Sequence, residues 1–249
     1  MTIAADPVAN PLLLDLPHAL VGPRVIARPY RDGDGETIAE AVAESRERLL
    51  RADMPWVKDW DEPDQGAIYV RRCQAKWSAR DDLSLGVWER ATNTYLGGSG
   101  LHRILWSVPS VEIGYWIRSG FEGRGFITEA TALIATFAFD TLHAQRVRIR
   151  CDAENARSAA VPLRLGFAHE ATLRNECRRS DGTLRDTLEF GLTPDDFRPL
   201  RAAAWSSYLS TCSRPRNPTD PFGKPPCPIH SPRTRHPSAK PISSTCALR

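Results

Sequence analysis

Glu112-Ile-Gly-Tyr-Trp-Ile117, followed after three residues by Phe121-Glu-Gly-Arg-Gly-Phe-Ile-Thr-Glu-Ala130, is the stretch of sequence that decides the fold. The first segment is rich in β-branched and aromatic residues and predicts a strand, and the second passes through a turn into a helix predicted over 128–142. A strand that enters a helix in this way directs several backbone N–H groups and the positive helix end toward one point. Gly123 and Gly125 leave that point open, which suits a pyrophosphate.

A Gly-x-Gly turn is also typical of a tight connection between a strand and a helix. The turn lacks the third glycine of a dinucleotide-binding fingerprint, and no Lys-Ser/Thr pair follows it as in a nucleotide P-loop. Arg124 adds positive charge at its rim. These two nucleotide motifs are therefore excluded, while an anion site and a plain connection both stay open.

A second motif follows the predicted strand 146–152. It reads Asn155-x-x-Ser158-x-x-Val161-x-x-x-Leu165-Gly166-Phe167 and predicts a short helix that ends at a glycine C-cap. Asn155 suits the N-cap, and its amide lies on the same side of the first turn as the Ser158 hydroxyl. Helix capping alone would also explain this pair.

The order of the predicted elements indicates a mixed α/β fold. Strands are predicted at 24–28, 83–89, 95–101, 111–117, 146–152, 171–178 and 187–192, and helices at 32–50, 65–79, 128–142 and 155–165. Three consecutive strands form an antiparallel meander, which a doubly wound parallel sheet would not contain. A mixed sheet is therefore expected.

Charge is distributed unevenly along the 249 residues. The net charge is +3, but residues 213–249 carry seven Lys or Arg and one acid, so residues 1–212 have a net charge of −3. That last segment also holds nine of the twenty prolines and little apolar surface, which predicts disorder. We expect an N-terminal arm at 1–22, a folded domain at 23–200 and a disordered, Pro-rich basic tail at 201–249. Nucleic acid is a disfavoured partner.

The cysteines and the hydropathy pattern give three further expectations. The six cysteines have no Cys-x-x-Cys spacing and no histidine cluster near them, so free thiols are expected and no metal site. No apolar run reaches the roughly 18 residues of a membrane helix, and no membrane partner is expected. A cytoplasmic location follows as the default expectation.

Together, the two motifs resemble the GNAT acetyltransferase superfamily and, within it, the RimJ/RimL-like protein N-terminal acetyltransferases. The resemblance spans about residues 24–199. It rests on Ile113-Gly-Tyr-Trp-Ile, Glu122-Gly-Arg-Gly-Phe-Ile-Thr-Glu-Ala, Asn155 to Phe167 and Arg185-Asp-Thr-Leu-Glu-Phe-Gly-Leu. Asp53-Met-Pro-Trp56 is similar to the aromatic segment that follows the first helix in that family.

The resemblance implies the GNAT fold, a splayed and mostly antiparallel mixed sheet flanked by helices, with acetyl-CoA in the opening between the strands 111–117 and 146–152. Pantetheine would pair with the backbone of Trp116, Ile117 and Arg118. Pyrophosphate would bind the backbone of Glu122, Gly123, Arg124, Gly125, Phe126, Ile127 and Thr128. Asn155 would bond the pantetheine arm, with Ser158 near the sulfur. Glu122 stands where the family usually has Gln or Arg, and Ile127 where it has a small residue.

Acyl transfer to an amine requires a stabilised oxyanion, a proton for the departing thiolate and a neutral amine. We assign the oxyanion to a backbone N–H near Trp116 and protonation of the thiolate to Ser158. Glu112 is the first candidate for general base and Glu176 the second, although a strand glutamate is more often a cross-strand partner. An α-amine has a pKa of about 8, so part of it is neutral without a base.

Aromatic side chains are expected around the acceptor. Trp56 would contact the substrate, and Trp60 and Trp77 are either channel walls or ordinary core residues. His102 is interpreted as a strand-end histidine without a chemical role, and Cys151 as a buried, inert thiol.

The predicted function is acetyl transfer from acetyl-CoA to a primary amine, in first place the N-terminal α-amine of a protein or peptide, by direct attack in a ternary complex. Two alternatives remain: a small-molecule acceptor such as an antibiotic or a polyamine, and a non-catalytic acyl-CoA-binding module. A homodimer is one candidate for the oligomeric state, which the sequence leaves open.

Overall fold

A computed structural model of the chain describes residues 10–52, 54–57, 60 and 64–209. The strands are β1 Leu20–Val21, β2 Val25–Pro29, β3 Leu83–Glu89, β4 Tyr95–Leu105, β5 Ser110–Ile117, β6 Arg146–Asp152, β7 Ala168–Arg178 and β8 Leu184–Leu192. The helices are α1 Asp34–Arg51, α2 Gln65–Ala79, α3 Phe126–Asp140, α4 Ala156–Arg164, α5 Pro194–Ala202 and α6 Ser206–Leu209, with 3₁₀ turns at Pro11–Leu13 and Pro55–Val57. Every strand and helix predicted from the sequence is present.

The strands form one mixed sheet in the order β1-β2-β3-β4-β5-β6-β8-β7. Neighbouring strands are antiparallel except β5 and β6, which run parallel. This pair is joined only over Ser110 to Glu112 and Arg146 to Arg148, whereas β6 pairs with β8 as far as Asp152. The sheet therefore opens beyond Glu112, and the expected splayed architecture is confirmed.

Helix α3 forms the centre of the core on one face of the sheet. Its residues from Phe126 to Phe139 are all buried, which fits a mostly apolar helix that is packed on every side. Val111 and Ile113 of β5 and Val147 of β6 belong to the same hydrophobic cluster. Helix α3 therefore packs against both strands that border the opening.

Helices α1 and α2 cover the opposite face of the sheet. The cluster beneath them is aromatic, with Tyr30, Trp88, Tyr95 and Trp116 buried in it. The rings contact one another edge to face, for example Trp88 and Tyr95 with centroids 5.3 Å apart. Because β-strand side chains alternate, β5 presents Trp116 to this face and Ile113 to α3.

At both ends, described residues outside the expected domain of residues 23–200 pack against that domain. Residues 201–209 belong to the folded domain, because Trp205 is fully buried and its indole N–H donates to the carbonyl of Leu165 at 3.1 Å. At the other end β1 pairs with β2, and Leu14 and Leu16 pack against the main core. Isolated apolar residues among polar ones carry little periodicity, so both segments resembled loops.

Residues 1–9 and 210–249 lie outside the described residues, and the disorder expected from residue 210 onward stays a prediction. Among the helices of the described part, none has the length and apolar character to cross a membrane.

Candidate active site

The connection between β5 and α3 is a turn shaped by glycines. The backbone φ angle is +86° at Gly120, +70° at Gly123 and +79° at Gly125, a region that side chains rarely adopt. A Cβ atom at Gly120 or Gly123 would meet open space, so the surface of the turn is unobstructed. Gly125 is the N-cap of α3 and supplies no side-chain cap, so the first N–H groups of the helix are available to an anion.

The predicted phosphate-loop residues differ in what they present to this point. Phe126, Ile127 and Thr128 bury their side chains, so only their backbone can face the mouth of the opening. The Arg124 guanidinium lies over the rings of Phe121 and Phe126, 5.4 Å and 4.9 Å from their centroids, and is half exposed at the rim. In this turn the accessible groups are therefore those of the backbone, and Arg124 borders them.

Glu122, the departure from the family pattern, is paired with arginines. Its carboxylate lies 2.9 Å from Nε of Arg48, on α1, and 3.8 Å from a terminal nitrogen of Arg157, on α4. Arg48 also donates to the carbonyl oxygen of Ile117. The acidic residue therefore neutralises cations at the mouth of the opening, which is itself bordered by α1, α4 and the end of β5.

Hydrogen-bond direction decides which β5 backbone groups face the opening. The Arg118 N–H donates to the Leu96 carbonyl at 2.7 Å, so Arg118 points its backbone toward β4. Direction alternates along a strand, so Trp116 also faces β4 and the backbone groups of Tyr115 and Ile117 face the opening. Of the three residues predicted to pair with pantetheine, only Ile117 is oriented for it, and Tyr115 joins it.

Ser158, Asn155 and Tyr115 meet beside the opening. The Asn155 side-chain oxygen accepts from the Ser158 N–H at 3.0 Å, which confirms Asn155 as the N-cap of α4. The Tyr115 hydroxyl donates to the Ser158 carbonyl at 2.8 Å, and the Ser158 hydroxyl lies 3.5 Å from it. The capping contact leaves the Asn155 amide nitrogen as the group able to bond a ligand.

Burial keeps the neighbouring acidic groups protonated. Burial raises the pKa of the Tyr115 phenol above its usual range, although its hydrogen bond with Ser158 acts in the opposite direction. Burial also raises the pKa of the Cys151 thiol. Tyr115 therefore remains a hydrogen-bond donor, and Cys151 lacks the thiolate character that a nucleophile needs.

The two predicted base candidates lie on the α1–α2 face and share an arginine. Arg150 places Nε 3.0 Å from the Glu112 carboxylate and a terminal nitrogen 3.1 Å from Glu176. Glu112 is buried and also contacts Arg103 and Arg148. Glu176, on β7, is exposed. Glu112 thus sits at the closed end of the opening as the centre of an ion-pair network, and Glu176 faces solvent above it.

The arginines of β6 are paired rather than simply solvated. Arg146 contacts Glu170 and, at 3.3 Å, Glu189, while Arg148 and Arg150 contact Glu112. The arginines are paired because carboxylates of β5, β7 and β8 converge on the same face.

Trp56 lies over the same face at the aromatic cluster. Its ring centroid is 5.6 Å from that of Trp116 and 5.9 Å from that of Trp60, and all three rings border the region below α1. Trp77 packs instead against the main core cluster with Leu14. Trp56 and Trp60 remain candidates to contact an acceptor, and Trp77 does not.

Two residues of the site, Tyr115 and Arg48, were not predicted from the sequence. Tyr115 was visible only as one of the alternating residues of β5, and its place beside Ser158 depends on where α4 docks. Arg48 is one of several arginines on α1, and nothing in the helical pattern singles it out. In the described part of the chain, no group of three or more His, Cys, Asp or Glu side chains is arranged to hold a metal ion.

Fold and site define a class of protein: an α/β chain whose splayed sheet leads to a helix N-terminus that has no side-chain cap. The acetyltransferase (GNAT) domain family matches residues 24–168, more than half of the chain. The chain belongs to this family and is an acetyltransferase of the GNAT type.

Individual relatives agree with this assignment. YdaF of Bacillus subtilis (strain 168), described provisionally as a ribosomal N-acetyltransferase, is 30% identical over 158 residues, which cover 62% of this chain and 84% of YdaF. The ribosomal protein uS5-alanine N-acetyltransferase of Escherichia coli (strain K12) is 25% identical over 188 residues, covering 72% of this chain and 92% of that enzyme.

A solved structure shows the same fold. RimL, a ribosomal L7/L12 alpha-N-protein acetyltransferase in complex with coenzyme A, superposes with a TM-score of 0.66 and covers 72% of this chain and 99% of its own. At 17% sequence identity, the similarity concerns the fold alone.

Proposed function

We propose that this acetyltransferase moves an acetyl group from acetyl-CoA to the N-terminal α-amine of a protein or peptide, by direct attack in a ternary complex. One observation carries the proposal: the free edge of β5 leads from the glycine turn at the helix end to the Ser158–Tyr115 pair. The names of YdaF and of the uS5-alanine enzyme support a ribosomal protein as acceptor.

The described residues fit acetyl-CoA along this path. The backbone between Glu122 and Thr128 would hold the pyrophosphate, because the glycines leave the N–H groups accessible. The N–H and carbonyl groups of Tyr115 and Ile117 would pair with the pantetheine amides as an added strand does. Arg48 now donates to the Ile117 carbonyl, so it would shift toward the phosphates.

On this path the sulfur would lie beside Ser158. Tyr115 lies two residues back from Ile117, about 7 Å along β5, and its hydroxyl holds the first turn of α4. A thioester at this level would have the Ser158 hydroxyl within reach of the sulfur. The backbone N–H of Ile117 or Tyr115, rather than that of Trp116, would stabilise the oxyanion.

The protein groups then have separate tasks. The Ser158 hydroxyl donates a proton to the leaving thiolate, and the Tyr115 hydroxyl fixes the turn that carries it. Trp56 and Trp60 border the approach of the acceptor. Proton removal from the amine goes to a group on the α1–α2 face, for which Glu112 and Glu176, directly or through water, are candidates.

The proposal is tested with the full-length chain, acetyl-CoA and a panel of peptides with free N-termini, by following the release of free thiol. Small amines, including aminoglycosides and polyamines, form the second arm. Acetylation of peptide α-amines, located by mass spectrometry, is the expected result. The same peptides with blocked N-termini are the matched control and should be inert.

Other outcomes would contradict the proposal in distinct ways. Turnover with small amines but no peptide would assign the enzyme a small-molecule acceptor. Binding of acetyl-CoA without turnover on any amine would identify a non-catalytic acyl-CoA-binding module.

A further inference from the structure

A charge-assisted pair lies on the acceptor face, outside the residues assigned above. His102 of β4 places Nδ1 2.7 Å from an oxygen of Asp82, and the other oxygen of Asp82 accepts from the Ser84 hydroxyl at 2.5 Å. Both side chains are partly buried, His102 being 31% exposed and Asp82 18%. Ser84, Asp82 and His102 thus form a chain of hydrogen bonds that ends on the imidazole.

The imidazole lies over Gly114 of β5. A Cβ atom at Gly114 would come 3.1 Å from Cδ2 of His102 and 3.3 Å from Nε2, so the ring occupies space that only glycine leaves free. Because His102 is opposite Glu112 in the β4–β5 register, it shares a face with Glu112 and Trp116. Among the described residues, no hydrogen bond to Nε2 is found, and the Cδ2–Nε2 edge of the ring is the part that lies over Gly114.

A break in strand regularity accompanies this placement. The β4–β5 register shifts between His102 and Leu105, and Arg103 adopts a φ of +47°, which is unusual for a side-chain-bearing residue. Successive residues of a regular strand face opposite sides, yet both His102 and Arg103 reach the Glu112 side. Such irregularities cost energy and tend to occur at functional sites.

Along β5, the imidazole lies at the same height as Tyr115 and Ser158, where the proposed function puts the thioester. Tyr115, which holds Ser158, directly follows Gly114 in β5, so its neighbour on the other face is the space occupied by His102. The opening between β5 and β6 starts after Glu112, so Gly114 and Tyr115 both lie beside it. An amine that approaches the thioester from the α1–α2 face therefore meets His102 from one side and Trp116 from the other.

We infer that His102 is the general base of this acetyltransferase, accepting a proton from the acceptor amine on Nε2, and that Asp82 is its positioning residue. The inference rests on the proposed function and deepens it. Asp82 accepts the Nδ1 proton, which fixes the tautomer whose Nε2 lone pair is free. From the sequence, His102 was interpreted as a strand-end residue without a chemical role, and this inference gives it one. Glu112 and Glu176 then serve to bind the arginines.

The proton and electron balance closes with these groups. Nε2 takes one proton from the ammonium, and the nitrogen lone pair forms the C–N bond with the thioester carbonyl carbon. As the C–S bond breaks, the electron pair leaves on sulfur, which is protonated from the Ser158 hydroxyl. The nitrogen then loses its second proton to water, Ser158 is reprotonated by water, and His102 releases its proton to solvent. One proton is released overall for each ammonium acetylated.

Several charged groups surround the imidazole. Asp82 faces it directly from the start of β3, with Lys76 of α2 near that carboxylate. Burial of Asp82 opposes its ionisation, but hydrogen bonds from His102 and Ser84 outweigh burial and lower its pKa. Across the strand stands Glu112, which is neutralised by Arg103, Arg148 and Arg150.

The test is the pH dependence of kcat at saturating acceptor for wild type, His102→Gln and Asp82→Asn. Wild-type kcat should rise with pH to a plateau through one inflection, because a general base must be unprotonated to act. In His102→Gln the inflection should disappear and kcat should fall about 100-fold. This loss is at the lower end of what general bases contribute, because part of the amine is already neutral. Asp82→Asn should lower kcat about tenfold and move the inflection.

His143→Gln is the matched control, since that histidine is exposed beyond α3 and should leave the profile unchanged. Acetyl-CoA affinity should be equal in all variants. An unchanged kcat and inflection in His102→Gln would overturn the inference and leave the proposed function intact. A wild-type enzyme that acetylates no amine would instead overturn the proposed function.

Should His102→Gln fail to fold, the wild-type protein still gives an answer. Nitrogen NMR of ¹⁵N-histidine-labelled enzyme reports which ring nitrogen carries the proton. A proton on Nδ1 at high pH, lost in Asp82→Asn, supports the inference. A proton on Nε2 would refute it, because that nitrogen could not accept another.

Discussion

The α3 end of the opening and its acceptor face offer different kinds of chemical group to a ligand. At the α3 end the groups offered to a ligand are backbone N–H groups exposed by Gly120, Gly123 and Gly125, and their direction follows from the chain path. On the acceptor face they are side chains held by one another, with Arg150 joining Glu112 to Glu176. Substitutions at the α3 end should therefore weaken binding only where they change the backbone conformation. On the acceptor face, removal of a single side-chain functional group should be enough to change activity.

Changing the backbone of the helix end should give the largest effect on binding. Gly125→Val requires a β-branched residue at a φ of +79° and moves the N–H groups, so we expect acetyl-CoA affinity to fall about 100-fold, about 2.7 kcal/mol, by calorimetry. Gly182→Val, at a φ of +90° in the turn between β7 and β8, is the equally strained control and should bind normally. Equal weakening by both variants would mean a general loss of structure.

Removing one hydroxyl should separate chemistry from binding. Ser158→Ala should lower kcat about 30-fold, about 2 kcal/mol, because the thiolate then leaves without a proton donor, while acetyl-CoA affinity stays within about twofold. Ser206→Ala, on the exposed surface of α6, is the control. Stopped-flow measurement of thiol release checks the prediction, and a wild-type rate in Ser158→Ala would remove Ser158 from the mechanism.

Substitution of Trp56 should affect binding of the acceptor but not of acetyl-CoA. Trp56→Leu removes the contact with Trp116 and should raise KM for the peptide about tenfold, with little change in acetyl-CoA affinity. Trp77→Leu changes the same residue type away from this face and should leave KM unaltered. If the two variants behave alike, Trp56 contributes to stability rather than to acceptor binding.

Neutralising the unusual acid should give the smallest effect, in the favourable direction. Glu122→Gln frees Arg48 and Arg157 for the phosphates, and we expect acetyl-CoA to bind about threefold more tightly at low salt and less so at 0.5 M salt. Glu47→Gln makes the same charge change on the exposed side of α1 and controls for net charge. Weaker binding by Glu122→Gln would show that the carboxylate positions the arginines.

Local patterns were enough to predict the elements. The helix at Gln65–Ala79 and the strands at Leu83–Glu89 and Arg146–Asp152 have the predicted bounds, because periodicity and turn residues are local properties. The glycine turn and the Asn155 cap were predictable for the same reason. The segment around Trp205 was missed, since one buried tryptophan among polar residues acts only through its contact with Leu165.

Contacts between distant segments could not be predicted. Glu112 was chosen as base from its place on β5, but its three arginine partners come from β4 and β6. His102 appeared unremarkable because Asp82 precedes it by twenty residues and Gly114 lies on another strand. The chemistry of a side chain depends on such neighbours, and only the register of β3, β4 and β5 brings these together.

In the proposed function, acetyl-CoA occupies the β5–β6 opening and the acceptor enters from the α1–α2 face. Amide hydrogen exchange measured with acetyl-CoA alone, and then with a non-reactive CoA thioether and peptide, tests it most directly. We predict that acetyl-CoA slows exchange at Tyr115, Ile117 and residues 122–128, and that β7 and β8 respond only when peptide is added. Protection of β7 and β8 by acetyl-CoA alone, with residues 122–128 unchanged, would contradict the account.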